Sequence, residues 1–168
     1  NAGTHLPDNN NKDLTTAFKK LININLLGTI NCIYSCIPYL KKTPNSQLVI
    51  MASLAGYRGL PNSSAYCSSK AALISLAESL YHECKSFNIK VRLINPGFVD
   101  TPLTRKNKFS MPSIIDADTA SNLIFKRLTT GKEFEIRFPK YFSILMGILS
   151  VLPYSIYFYF TKYLVKKN

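Results

Sequence analysis

Tyr66 and Lys70 stand four residues apart in the segment Tyr66-Cys67-Ser68-Ser69-Lys70, and Ser53 lies 13 residues before Tyr66. On a helix, positions i and i+4 share a face, so the phenol and the ammonium project into the same space one turn apart. A free tyrosine has a pKa of about 10 and is a poor proton donor or acceptor at neutral pH. A cation held beside it favours the phenolate, so the spacing predicts a phenol whose pKa is drawn down toward working pH. A serine hydroxyl arriving from a strand end can hydrogen-bond the same substrate oxygen. This trio suits moving a proton on or off a carbonyl or alcohol oxygen while a hydride moves elsewhere. Each piece alone is weak: an aromatic at a helix start ordinarily packs on a loop, and a serine after a strand is commonplace.

The elements that must position these residues alternate. Apolar residues recur at Phe18, Leu21, Ile22, Leu26, Ile30, Ile33 and Ile37, close to a 3.6 period, so residues 13–40 read as helix. Residues 47–52 form a short apolar run of buried parallel-strand type, with Ser53 at its carboxyl end. Residues 64–87 read as a long helix carrying Tyr66 and Lys70 in its first turns. Residues 90–95 are the next strand, broken by Pro96-Gly97. Residues 116–129 are a third helix, capped by Asp116 or Asp118, and residues 134–138 a last strand. Helix–strand alternation argues for a parallel sheet with helical crossovers, whose ligands bind beyond the carboxyl ends of the strands. Gly3, Ser53 and Pro96-Gly97 all fall at such ends.

Asn25 stands mid-helix, where asparagine is a modest helix former and needs a polar reason, a solvent-facing position being the plain alternative. Gly28, three residues on, would let another backbone approach closely. The chain has 168 residues, one domain by default, with 46% hydrophobic and 18% charged residues. The 21 Lys and Arg against 9 Asp and Glu give a net charge of +12. No run of five or six like charges appears, which speaks against a nucleic-acid tract. The excess fits biased residue usage, or attraction to an anionic cofactor or membrane surface. Cys32, Cys36, Cys67 and Cys84 form no Cys-x-x-Cys pair, and Cys32 and Cys36 read as core residues on a helix. A reduced, cytoplasmic setting follows. His5 and His82 are isolated, so no metal site is expected.

Asn1-Ala2-Gly3, Asn25-Leu26-Leu27-Gly28, Ser53, Tyr66-x-x-x-Lys70 and Asn95-Pro96-Gly97-Phe98-Val99-Asp100-Thr101 stand in order at spacings that suit one alternating fold. In this combination the chain resembles the short-chain dehydrogenase/reductase family over residues 1 to about 138. The resemblance implies the carboxyl-terminal part of a Rossmann-type, doubly wound parallel α/β sheet with flanking helices. It implies Tyr66 as general acid/base, Lys70 as the group that lowers its pKa and bonds the nicotinamide ribose, and Ser53 as the residue that orients the substrate oxygen. Asn25 would complete the catalytic set, its backbone helping to hold a water that relays protons to Lys70. Asn1, Ala2, Gly3, Tyr66, Lys70, Pro96, Gly97, Val99 and Thr101 would contact the cofactor, NAD or NADP with NADP slightly favoured. Residues 102–113 would be a substrate-side lid. The implied activity is the interconversion of a secondary alcohol and a ketone, in a protein that forms a homo-oligomer at full length. The seven glycines lack the family's dinucleotide fingerprint, which lies some 70–80 residues before Asn-Ala-Gly in the family, so an amino-terminally truncated sequence is expected.

Residues 139–168 form a separate apolar and basic helical extension of that 1–138 unit. Tyr141 to Thr161 carry no charge and are flanked by Lys140 and Lys162. The length suits a membrane span, but Pro153 and three serines suit a pair of interfacial helices, a subunit contact or a substrate-pocket cover. Peripheral membrane contact through residues 141–165 and a lipophilic substrate are thus expected. Two competing functions stay open: a non-catalytic dinucleotide-sensing or scaffolding protein on the same fold, and a Ser53–Lys70 hydrolase, which would leave Tyr66 idle.

Overall fold

The computed structural model describes residues 3–5, 14–107 and 109–164. Among the described residues three strands, β1 (Gln47–Met51), β2 (Lys90–Pro96) and β3 (Glu135–Phe138), form a parallel sheet in the order β1-β2-β3. Leu48 pairs with Val91 and Ile50 with Leu93 across one interface, and Ile94 with Ile136 across the other. Residues 91–95 of β2 are all buried, as an interior parallel strand covered on both faces requires. Helices α1 (Leu14–Leu21) and α2 (Gly28–Leu40) are joined without a break by a wide π turn over Ile22–Leu27. Next come α3 (Ser64–Lys85), α4 (Ala117–Thr130), α5 (Lys140–Val151) and α6 (Tyr154–Thr161).

The sheet has a core on each side. Ile33 of α2 and Leu73, Ala77 and Leu80 of α3 cluster with Ile50, Val91 and Leu93. On the other face Ala120 and Leu123 of α4 pack against Ile94, Ile136 and Phe138. Helices on both faces of a parallel sheet make the expected doubly wound α/β architecture, and each fully buried Leu or Ile contributes roughly 1.5–3 kcal/mol. Arg92 is buried in β2 because it donates to the carbonyls of Gly131 (3.0 Å) and Arg127 (3.1 Å) at the end of α4, where a cation opposes the helix dipole.

Boundaries differ locally from the sequence expectation. Asp116, not Asp118, caps α4, accepting from the Thr119 amide at 2.7 Å. Asn88, with φ of 58°, turns the chain from α3 into β2; asparagine tolerates this left-handed conformation. Cys32 and Cys36 are exposed, not core, because the stripe containing Ile33 takes the inward face of α2; Cys67 and Cys84 are buried. A Cβ on Gly28 would meet only the Asn23 carbonyl of its own helix, at 3.5 Å, so no other backbone approaches there.

The apolar segment after Lys140 splits at Pro153. Helices of 12 and 8 residues reach about 18 and 12 Å, short of a hydrocarbon core about 30 Å thick. Among the described residues one helical stretch, Leu14–Leu40, is long and apolar enough to cross a membrane. It buries Ala17, Leu21, Asn25 and Ile33 within this fold.

Candidate active site

β1 delivers Ser53 to the carboxyl edge of the sheet. There the serine caps a short 3-10 turn, Leu54–Gly56: its Oγ accepts from the Ala55 amide at 3.2 Å and donates to the Pro96 carbonyl at 3.3 Å. Serine suits this position because its short side chain reaches a backbone amide two residues on. The turn lies hard against α3. A Cβ on Gly56 would come within 2.8 Å of the Lys70 carbonyl carbon, so only glycine lets the loop sit beside the helix at that point. α3 then presents Tyr66 in its first turn and Lys70 one turn later. The Ser53 hydroxyl lies within hydrogen-bonding reach of the Tyr66 phenol, and the Lys70 ammonium donates to the Met51 carbonyl at 3.1 Å. Ser53, Tyr66 and Lys70 are thereby brought together, and the Lys70 ammonium stands 5.8 Å from the Tyr66 ring centre.

Burial dominates the electrostatics. Desolvation raises the Tyr66 pKa above its ordinary value, against a lowering by the Ser53 hydrogen bond, and the nearby Cys67 adds a further rise. The i,i+4 spacing predicted the opposite direction. The difference arises because desolvation of the Tyr66 phenol is the largest influence on it; the same burial pushes the Lys70 pKa down to about 8 while its ammonium donates one hydrogen to Met51. Tyr66 is therefore a neutral phenol at pH 7, while Lys70 remains largely an ammonium.

Asn25 is fully buried in the π turn. Its Oδ1 accepts from the Thr4 amide (2.8 Å), and its Nδ2 donates to the Thr4 carbonyl (2.9 Å) and to Ser69 Oγ (3.2 Å). Ser69 in turn donates to the Tyr66 carbonyl at 2.8 Å. Asn25 thus ties the segment after Gly3 to the first turns of α3, and its own carbonyl accepts from the Thr29 hydroxyl at 2.8 Å. Such wide turns recur at functional sites. Gly3 lies beside Asn25, whereas Asn1 and Ala2 fall outside the described residues.

Pro96 and Gly97 end β2 next to Ser53, with the Gly97 amide donating to the Phe138 carbonyl at 2.7 Å. Val99 bridges to Ile115, and Thr104 knots the loop: its hydroxyl donates to the Val99 carbonyl at 2.5 Å and accepts from the Thr101 amide at 3.0 Å. Val99 and Thr101 therefore belong to one hydrogen-bonded loop that follows Gly97.

Several participants carry no periodicity signal. The His5 ring meets Tyr66 edge-on at 4.9 Å. Tyr57 donates to Glu135, which also accepts from Asn95 at 2.6 Å. Burial, then Glu135, push the Tyr57 pKa up to about 12. Phe142 of α5 fills the space a Cβ on Gly97 would need and packs on Phe98 at 5.4 Å. Near the site, Gly56 and Gly97 are places where a neighbour comes too close for a side chain, as Gly131 is at the end of α4. Ser53 donates to Pro96 and Lys70 to Met51, and the Ser53 hydroxyl is the one beside the Tyr66 phenol, the residue a Ser–Lys hydrolase would leave idle.

A family model described as short chain dehydrogenase matches residues 1–111. An uncharacterized oxidoreductase of Myxococcus xanthus is 33% identical over 133 residues, 79% of this chain and 52% of the relative. A 3-ketodihydrosphingosine reductase of Mus musculus is 36% identical over 108 residues, 64% of this chain and 32% of the relative. The solved structure of a short chain dehydrogenase from Burkholderia cenocepacia, in complex with NADP, superposes with a TM-score of 0.82 at 21% identity, covering 96% of this chain and 68% of that one. The chain spans about half the length of the curated relatives it matches.

Proposed function

The chain belongs to the short-chain dehydrogenase family, and we propose that it forms the catalytic part of an NAD(P)-dependent oxidoreductase interconverting a secondary alcohol and a ketone. The observation that carries this is the convergence of the Tyr66 phenol, the Ser53 hydroxyl and the Lys70 ammonium at the carboxyl end of β1. In the reducing direction Ser53 holds the ketone oxygen while Tyr66 gives it a proton: the phenolic O–H bond breaks and the product O–H bond forms. Lys70, cationic at pH 7, stabilises the phenolate left behind. Asn25 acts through position, holding the turn of α3 from which Tyr66 projects. The oxidising direction runs the same proton back.

The residues fit the nicotinamide end of such a cofactor. Met51 takes one hydrogen of the Lys70 ammonium, leaving donors for ribose hydroxyls; on this reading Gly3, Pro96, Gly97, Val99 and Thr101, with Asn1 and Ala2, would contact the cofactor. When bound, the nicotinamide supplies or accepts the hydride. Structural neighbours in complex with NADP or NADPH support a dinucleotide, with NADP slightly favoured. On this reading residues 1–138 form the dehydrogenase unit and residues 139–168 its extension, residues 102–113 cover the substrate, and the full-length protein is a cytoplasmic homo-oligomer. The apolar helices beside Gly97 suit a lipophilic substrate and peripheral membrane contact.

Tyr66→Phe in the full-length protein tests the proposal. Ketone reduction, followed by nicotinamide absorbance, is expected to fall at least 100-fold with cofactor binding retained; unchanged turnover removes Tyr66 from the mechanism. The sensing alternative would show unaltered dinucleotide binding and no turnover in the unmodified protein.

A further inference from the structure

α5 and α6 meet in a corner that faces two ways. Inward, Arg58 of the loop following Ser53 donates to three carbonyls at the end of α5, Leu149 (3.0 Å), Ser150 (3.1 Å) and Leu152 (2.5 Å). The same guanidinium lies over the rings of Tyr154 (4.6 Å) and Tyr157 (4.2 Å). Tyr157 donates to the Gly59 carbonyl at 2.5 Å. A cation across the last carbonyls of a helix answers both their unmet hydrogen bonds and the helix dipole.

Outward, the corner shows apolar surface. Ile148 is 54% exposed, Val151 81%, Phe158 60% and Phe160 55%. Large apolar side chains are thus left in water along both helices, where soluble monomers ordinarily gather only a few hundred Å² of apolar surface in one place. The charge within the segment itself has one sign, although Glu78 and Glu135 lie beside Gly147 and Ser150 on the inner side of α5. From residue 136 onward the sequence holds Arg137, Lys140, Lys162, Lys166 and Lys167 and no Asp or Glu. Lys162 is held over Tyr159 (4.1 Å) and Tyr163 (4.8 Å), keeping its ammonium at the edge of the apolar face. Aromatic rings with flanking lysines on two short helices are the composition of an interfacial anchor, and a segment with lysines and no acids favours an anionic surface.

We propose that the outer face of α5–α6 docks on an anionic lipid surface and that Arg58 carries the docked state to the loop holding Ser53. This rests on the membrane contact proposed above and adds its lipid class and its link to the site. Lipid holds the corner, and the corner holds Tyr57–Gly59 through Arg58 and Tyr157, so docking suppresses local opening of that loop.

The test uses the full chain with vesicles of phosphatidylcholine containing phosphatidylserine, or of phosphatidylcholine alone, read by co-sedimentation and by hydrogen exchange over residues 54–66. Sedimentation is expected with the anionic vesicles, about tenfold weaker with the neutral ones, and lost in Ile148→Glu with Phe160→Glu. Exchange at Tyr57–Gly59 should slow several-fold on docking; in Arg58→Ala it should not slow, although that variant still sediments. No sedimentation, or equal sedimentation of the double variant, overturns the membrane contact itself. Docking without slower exchange in the unmodified chain overturns the link alone. Self-association that the double variant abolishes, without vesicle binding, assigns the face to a second copy instead.

Discussion

The chain up to Phe138 and the chain after it treat apolar side chains in opposite ways. In the first, Leu73, Ile50, Leu93 and Ile136 are almost wholly enclosed, and Arg92 and Lys70, the charged groups taken inside, are met by carbonyls. In the second, two helices made largely of Ile, Leu, Phe and Tyr keep Ser143, Met146, Tyr157 and Thr161 in and leave most of the rest out. The difference teaches that the same residue types perform different work depending on what lies opposite them. Between sheet and helix they exclude water and fix geometry; at the α5–α6 corner they present a surface.

Stability measurements break or sharpen that contrast. Leu73→Ala, fully buried beneath the sheet, should cost about 2–5 kcal/mol in urea unfolding. If it costs less than 1 kcal/mol, the first region is not a packed core. Next comes pH. The folded pKa of Lys70 lies near 8, below its unfolded value of 10.5, so the unfolded chain binds more protons between those values and stability rises with pH. That rise is about 2 kcal/mol between pH 8 and 10. Subtracting the Lys70→Met profile from the unmodified one isolates it, and parallel profiles would show a lysine that is not desolvated. Asn25→Ala strips partners from Thr4 and Ser69 and should cost about 1–3 kcal/mol; a neutral result would mean that water replaces the amide. Smallest is Ile148→Ser on the outward face, expected within about 0.5 kcal/mol of zero. A loss as large as that of Leu73→Ala would erase the distinction between the two regions.

The alternating fold was legible because each strand is a short apolar run and each helix an apolar stripe. Ser53, Tyr66, Lys70 and Pro96-Gly97 were legible because they sit at strand ends or at i,i+4, spacings that survive translation into three dimensions. The break at Pro153 was visible for the same reason. What stayed hidden depends on distance between segments far apart in sequence. Nothing around Arg58 announces that it will grip α5 some 90 residues later, and nothing in Tyr57 foretells Glu135. Helical spacing points the Tyr66 shift the wrong way because it reports which groups are near, while desolvation depends on everything else that packs around them.

The wide turn at Ile22–Leu27 also keeps count. Leu21 and Ile33 both face inward, yet 12 residues of uninterrupted α-helix would leave them roughly a third of a turn apart at about 3.6 residues per turn. The π turn absorbs that mismatch, so the two halves of the helix are in phase only because one residue too many is wound between them. Removing the one extra residue would let the turn close into ordinary α-helix with Leu21 and Ile33 still in phase, since one residue fewer makes close to three whole turns. What would be lost is the wide turn that carries the buried Asn25.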